Sequence, residues 1–165
     1  MIARLIVVLA AAAFVLQANA QSSLTTFVFV RHAEKVNDGS KDPALTPEGM
    51  ARAERLSQML RAQKVDAIFS TNFIRTRATV EPLARNCKLP IATYDSLETA
   101  QFDELATRYR GGTIVVCGHS NTTPAMINKL LGRDQLKQYD DNDYGNFAIV
   151  TVSADGEKKL TMLRY

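Results

Sequence analysis

Four short apolar runs, each followed by a segment with helical periodicity, constrain the fold of this 165-residue chain more than any other feature. The runs begin at Phe27, Ala67, Ile91 and Thr113. Short runs rich in β-branched and aromatic residues are typical of strands that are buried on both faces. Strands that alternate with helices predict an α/β fold, a three-layer sandwich in which helices flank a mostly parallel central sheet.

The segments between these runs have the signals of helices and turns. Thr46 and Pro47 have the residue types of an N-cap and of the first helical position. Helical periodicity is found in the segments 47–63, 74–86, 101–109 and 122–131. The acidic stretch Asp140–Asp143 is predicted to be a solvated turn. Near the end of the chain, Asp155-Gly156 separates two apolar stretches, which predicts a hairpin that adds an antiparallel edge to the sheet.

The first 20 residues have the pattern of a secretory signal peptide. Arg4 precedes an unbroken apolar run from Leu5 to Leu16, and Ala18–Ala20 has the small-x-small pattern of a signal peptidase site. The apolar run is shorter than the roughly 20 residues that a membrane-spanning helix needs. We therefore predict a signal peptide over 1–20, a single domain over 21–165, a periplasmic or secreted location, and no stable membrane anchor after cleavage. An uncleaved anchor is the alternative.

Charge and cysteine content argue against two classes of function. The chain has 20 Lys and Arg residues against 17 Asp and Glu, a net charge of +3 without a basic run, so no nucleic-acid partner is predicted. Cys87 and Cys117 have no partner at metal-ligand spacing. Cys117 lies in an apolar run, where a buried free thiol is the simpler interpretation. We therefore predict that the two cysteines do not pair.

Reactive side chains follow each of the four predicted strands. The only two histidines of the chain, His32 and His119, come directly after apolar runs, and Arg31 precedes the first of them. Arg75 follows the second run and Glu98 follows the third. Because ligands of open α/β sheets bind beyond the carboxyl ends of the strands, we expect these five side chains to meet at one edge of the sheet.

This set of side chains suits a tetrahedral oxyanion. Two guanidinium groups match the geometry of phosphate, a neutral imidazole is a competent nucleophile, and a carboxylic acid can protonate a departing alkoxide. A metal site is an alternative interpretation of the two histidines. It is weakened because adjacent arginines repel a divalent cation and because the spacing of metal-binding histidines is missing. Each histidine, taken alone, could also be a capping or core residue.

Four motifs in the same order resemble those of a known family. Arg31-His32-Ala33-Glu34 resembles the Arg-His-Gly-Glu signature of the histidine phosphatase superfamily, which includes the cofactor-dependent phosphoglycerate mutases. The other three motifs are Leu45-Thr46-Pro47-Glu48-Gly49, the segment from Phe69 to Ala84 that contains Arg75, and Gly118-His119-Ser120-Asn121. The resemblance runs from about Thr26 to beyond Asn121 and covers most of the predicted domain.

The resemblance implies a metal-independent phosphatase, a hydrolase without a cofactor. His32 would accept the phosphoryl group, Arg31, Arg75 and His119 would bind its oxygens, and Glu98 would be the general acid. The catalytic set would thus be His32, Glu98 and His119. The substrate would be a phosphorylated small molecule or a phosphoprotein, as a phosphomonoester or a phosphohistidine. The alternative is a catalytically silent phosphate-binding module of the same fold.

Several positions depart from the family pattern. Ala33 stands where glycine is usual, and Asn72 stands where proline is common. Asn37 lies one position short of the asparagine that contacts phosphate in the family. Glu98 lacks the aromatic-Glu-Gly continuation, so an interpretation as a surface carboxylate before the next helix stays open. Glu34 is expected to brace the loop after the first strand.

Overall fold

The computed structural model describes residues 24–95 and 98–165, and within these ranges the chain forms a six-stranded sheet and four helices. The strands are β1 (Thr25–Arg31), β2 (Ala67–Ser70), β3 (Ile91–Thr93), β4 (Thr113–Gly118), β5 (Asn146–Val152) and β6 (Lys158–Arg164). The helices are α1 (Pro47–Met59), α2 (Ile74–Cys87), α3 (Thr99–Arg108) and α4 (Thr122–Leu131). The predicted α/β fold is confirmed. The predicted signal peptide lies outside the described residues.

The order of the strands places the ends of β1 and β4 side by side. The sheet has the order β3-β2-β4-β1-β5-β6, in which the first four strands are parallel. Strand β5 is antiparallel to β1 and to β6, and the two last strands form the predicted hairpin. The pairing of β1 with β4 continues beyond the strands, where the His32 amide donates to the Gly118 carbonyl at 2.9 Å. The two histidine motifs therefore leave the sheet as neighbours.

Alternating side chains of β1 bury both faces of the sheet. Phe27 and Phe29 point to one face, where the ring of Phe102 from α3 packs edge-on against both at centroid distances of 5.8 and 5.9 Å. Val28 and Val30 point to the other face and pack with apolar residues of α1 and α2. The sheet thus has a buried core on each side, as the three-layer prediction requires.

Helix α1 braces the loop that follows β1. The carboxylate of Glu34 accepts hydrogen bonds from Arg52 Nε at 2.9 Å, and both side chains are largely buried. Thr46 caps α1 by accepting from the Gly49 amide at 3.1 Å. A Cβ atom on Gly49 would lie 2.2 Å from the carbonyl oxygen of Glu34. Glycine at position 49 is therefore what allows α1 to approach this loop so closely.

The two cysteine thiols are free, as predicted. Cys117 is buried in β4 and Cys87 is half-buried at the end of α2. Burial raises the pKa of both thiols, so both are protonated at neutral pH. A separate observation concerns the membrane: none of the helices in the described ranges is long and apolar enough to span one.

Candidate active site

The carboxyl ends of β1, β2 and β4 open into a crevice of about 750 Å³. Arg31, His32, Arg75 and His119 all line it. The two imidazole rings lie 5.4 Å apart between centroids, and Arg75 Nη2 lies 3.4 Å from His119 Nδ1. The structure therefore brings together four of the five predicted site residues. Their roles in catalysis remain predictions from the sequence.

His32 is held in the tautomer that a nucleophile needs. Its Nδ1 lies 2.8 Å from the Ala33 carbonyl oxygen, which can only accept, so Nδ1 carries the proton and Nε2 keeps its lone pair. The position of Ala33 is fixed in turn, because its amide donates to Thr79 Oγ1 at 2.9 Å. Burial lowers the pKa of His32 to about 3, and the nearby cations Arg31 and Arg75 act in the same direction. The imidazole is therefore neutral and oriented at neutral pH.

His119 is also neutral, and its hydrogen bonds define its tautomer. Burial, with smaller contributions from the positive charges of Arg75 and Arg31, lowers the pKa of His119 to about 4. Arg75 Nη2 can only donate, so Nδ1 of His119 accepts, and Nε2 donates to Thr71 Oγ1 at 3.0 Å. An anion in the crevice would raise the pKa of His119, because an opposite charge nearby favours the imidazolium. His119 can then donate to a phosphate oxygen through Nδ1.

The two histidines should titrate far below the ordinary value. We expect both rings to stay neutral down to about pH 5, because burial disfavours the charged form. Since the folded-state pKa values lie below the unfolded value of about 6.5, both groups stabilise the fold fully above that pH and lose this contribution as the pH falls towards 3. NMR titration of the ring carbons measures this directly, since the chain has only two histidines. A midpoint near 6.5 for either ring in the folded protein would contradict the prediction.

Arg75 reaches the crevice from the first turn of α2. Its guanidinium lies over the ring of Phe73 at 4.5 Å from the centroid, and the same ring contacts His119 edge-on at 5.0 Å. The Nε atom of Arg75 is buried and has no hydrogen-bond partner among the described residues. An unpaired buried donor costs free energy, and a charge-assisted hydrogen bond to an oxyanion is a contact that would satisfy it.

Arg31 is held by the turn at residues 140–143, which the sequence predicts to be solvated. Its Nη1 donates to the carbonyl oxygens of Asp140 and Asp143 at 2.6 and 3.0 Å, and its Nη2 donates to that of Asp141 at 2.9 Å. The guanidinium also lies over the ring of Tyr144 at 4.3 Å. Nε is buried and unpaired within the described ranges, and one N–H of Nη2 has no hydrogen bond there either, so these two groups remain to donate to an oxyanion. The predicted turn is present and residues 140–142 are exposed, but the prediction missed that its carbonyl oxygens bind Arg31 and that Asp141 lines the crevice.

Glu98 lies elsewhere in the structure. Its carboxylate accepts from Lys129 Nζ at 2.7 and 2.8 Å, and it caps the start of α3 together with Gln101. The side chain is 62% exposed, and Glu98 does not belong to the residues that line the crevice. The structure therefore does not bring Glu98 to the other four residues. Its role as general acid remains a prediction, and the surface interpretation agrees with the contacts observed.

Sequence reasoning missed three contributors to this site. Tyr144 and Phe73 place their rings against Arg31 and Arg75, and Asp42 binds Arg75 from the loop before α1. None of the three residues directly follows a predicted strand, so the pattern that indicates the histidines does not indicate them. A signal did exist for Phe73, because it directly precedes the helix that carries Arg75. In residues 24–95 and 98–165, no three His, Cys, Asp or Glu side chains cluster as a metal site would require.

Comparisons with known proteins agree with this geometry. Residues 27–104 match the model of the histidine phosphatase superfamily (branch 1). A search of curated proteins found no match.

Three solved structures have the same fold. The protein histidine phosphatase SixA complexed with tungstate has a TM-score of 0.67 and 17% identity, over 84% of this chain and 96% of that one. A mycobacterial glucosyl-3-phosphoglycerate phosphatase has a TM-score of 0.65 and 14% identity, over 86% and 99%. A phosphoserine phosphatase from Entamoeba histolytica with 3-phosphoglyceric acid has a TM-score of 0.62 and 17% identity, over 86% and 97%.

The matched segment 27–104 contains the Arg31-His32 pair and Arg75, and the shared fold extends over the part of the chain that carries His119. The sequence motifs, the fold and the family match thus agree, and together they support membership of the chain in the histidine phosphatase superfamily.

Proposed function

We propose that this chain is a metal-independent phosphatase that transfers the phosphoryl group of its substrate to His32 and then to water. The family match and the fold support a phosphatase, which is a hydrolase. Two unsatisfied donors carry the proposal for the site. The Nε–H groups of Arg31 and Arg75 are both buried without a partner in the described part of the chain, and both residues line the crevice beside the free Nε2 of His32. A phosphoryl group would satisfy both donors next to the nucleophile.

The reaction has two balanced steps. In the first, the Nε2 lone pair of His32 attacks phosphorus, the bond from phosphorus to the leaving group breaks, and the leaving group takes the bonding electron pair. The developing imidazolium charge is stabilised by the hydrogen bond from Nδ1 to the Ala33 carbonyl. In the second, water attacks phosphorus, the P–N bond breaks, and inorganic phosphate and neutral His32 result. Arg31, Arg75 and His119 stabilise the phosphoryl oxygens in both transition states.

The contacts of Glu98 bear on the class of substrate. An alkoxide leaving group needs a proton as it departs, whereas an aryl oxide does not. A phosphohistidine that is protonated on its second ring nitrogen leaves as neutral imidazole. Lys129 holds the carboxylate of Glu98 outside the crevice lining. Aryl phosphates and phosphohistidine, whose leaving groups need no such acid, therefore suit the site better than alkyl phosphates. The substrate is accordingly a phosphorylated small molecule or a phosphoprotein, and phosphohistidine is the class that this geometry favours.

The function is tested with the full chain in the presence of a chelator. We expect release of inorganic phosphate from an aryl phosphate and from a phosphohistidine peptide, with slower release from an alkyl phosphate. If no substrate is hydrolysed between mildly acidic and neutral pH while inorganic phosphate still raises the melting temperature, the protein is instead a silent phosphate-binding module.

Glu98→Gln and Lys129→Met should have the same small effect on hydrolysis. The two side chains form an exposed ion pair, and neither of them lines the crevice. We therefore expect kcat to stay within about 3-fold of the wild-type value for aryl and alkyl phosphates alike. Lys129→Met is the matched control, since it breaks the ion pair but leaves the carboxylate. A loss in Glu98→Gln that is confined to alkyl phosphates would establish Glu98 as the general acid.

The N-terminal pattern supports a proposal for location. We expect the cell to export the protein to the periplasm or beyond, with removal of residues 1–20 and no remaining membrane anchor. N-terminal sequencing of the exported protein should begin at Gln21. A mature protein that still begins at Met1 would contradict a cleaved signal peptide and would favour the anchor.

A further inference from the structure

Helix α2 begins without a cap of its own. Phe73 occupies the N-cap position and makes no side-chain hydrogen bond to the helix. The first amide, that of Ile74, donates instead to both carboxylate oxygens of Asp42, at 3.0 and 3.1 Å. A carboxylate at a helix N-terminus is favourable for its hydrogen bonds and for the helix dipole. The cap of α2 is therefore supplied by a loop 32 residues upstream.

The same carboxylate binds the arginine of the active site. Asp42 Oδ1 accepts from Arg75 Nη1 at 3.2 Å, and Arg75 is only 13% exposed in this pair. The face of the guanidinium lies over Phe73, and Nη2 points to His119. These three contacts fix the plane and the rotation of the guanidinium. Of the three guanidinium nitrogens, Nε is the one that has no hydrogen-bond partner in the described residues.

Asp42 is itself held in position by its loop. The amide of Val36 donates to the Ala44 carbonyl at 2.9 Å and closes the neck of the loop. Within the loop, the amide of Asp42 donates to Ser40 Oγ at 3.1 Å. A carboxylate that is fixed before the ligand arrives can orient its partner without a further loss of conformational freedom.

The negative charge of Asp42 argues against a role in which it attracts the substrate electrostatically. A carboxylate beside the crevice repels an anionic phosphoryl group, so its charge alone would weaken substrate binding. We propose that Asp42 is a positioning residue, which holds the guanidinium of Arg75 in the orientation that presents Nε to the phosphoryl oxygens. This proposal rests on the role of Arg75 in the proposed function. Asp42 touches neither the substrate nor the reacting atoms.

The positioning role and a purely electrostatic role predict opposite results for Asp42→Asn. The amide oxygen of asparagine can still accept from Ile74, so the cap and the fold are retained, whereas the ionic contact with Arg75 is lost. We expect kcat/KM for an aryl phosphate to fall about 10- to 100-fold, since a small misplacement of a binding group has effects of this size. Unchanged or increased kcat/KM would overturn the proposal. Asp38→Asn is the matched control, because among the described residues Asp38 accepts a hydrogen bond only from the Ser40 amide of the same loop, so the change should leave activity unaltered.

A double-mutant cycle with Arg75→Ala separates positioning from general damage, with full-length protein throughout. If Asp42 acts through Arg75, Asp42→Asn should change kcat/KM less than about 2-fold once Arg75 is alanine. An equal loss in both backgrounds would overturn the proposal, since it would show a merely structural effect. An Arg75→Ala enzyme with full activity would overturn the site assignment and this proposal together. Loss in Arg75→Ala without loss in Asp42→Asn would overturn the positioning role alone.

Discussion

Replacement of His32 by asparagine should lower the rate of aryl phosphate hydrolysis by about 10⁴-fold or more. The reason is that His32 Nε2 is the atom to which the phosphoryl group would be transferred, and an amide is not a nucleophile at this position. The asparagine amide group can still donate to the Ala33 carbonyl, so the loop should keep its shape. Steady-state kinetics of the variant and the wild type measure the effect.

Phosphate binding is the control for this variant. Arg31, Arg75 and His119 are unchanged in His32→Asn, so inorganic phosphate should still raise the melting temperature, as a ligand of the folded state does. In the wild type, denaturation in base during turnover should trap a phosphoryl group that is later released in acid, as expected for a P–N bond. Turnover in His32→Asn above about 1% of the wild-type rate would contradict covalent catalysis by His32.

The elements of the fold could be predicted because local signals coincided with tertiary structure. The predicted strand runs at 27–30, 67–69, 91–94 and 113–117 each coincide with an observed strand, and their ends differ from the observed ends by at most two residues. The side chains of β1, β2 and β4 are mostly buried on both faces, so hydrophobicity and β-branching indicate these strands directly, whereas the edge strand β3 is largely exposed. The strand order places the two histidine motifs side by side, which explains why motifs 87 residues apart could be expected to meet.

The rest of the site depends on loops whose contacts are not encoded by local pattern. Asp42 binds Ile74 and Arg75 across 32 and 33 positions, and no periodicity links them. The turn 140–143 binds Arg31 through carbonyl oxygens, which every residue type offers, so its acidic side chains suggested only solvation. The position of Glu98 after a strand predicts that it lies at the sheet edge, and its role as general acid follows from the family resemblance. The ion pair with Lys129 of α4 depends on the packing of α3 and could not be foreseen.

Replacement of Arg31 by methionine should cost stability as well as activity. Arg31 is 2% exposed and is the common donor to three carbonyl oxygens of the turn 140–143. Loss of these hydrogen bonds should lower the free energy of unfolding by about 3 kcal/mol, since bonds from a charged donor are worth more than neutral ones. Loss of the Nε donor should also lower kcat/KM by about 10³-fold. Urea unfolding and steady-state kinetics measure the two effects separately.

Arg75→Ala is the matched comparison for Arg31→Met, because it removes the second guanidinium of the same crevice. Arg75 has a half-exposed ion-pair partner in Asp42 and binds no part of the turn 140–143, so its loss should change the free energy of unfolding by less than about 1 kcal/mol. Its effect on kcat/KM should nevertheless be similar to that of Arg31→Met. Equal stability losses in the two variants would contradict the distinction between them. Such a result would mean that Arg31 binds phosphate as Arg75 does but does not stabilise the turn that precedes Tyr144.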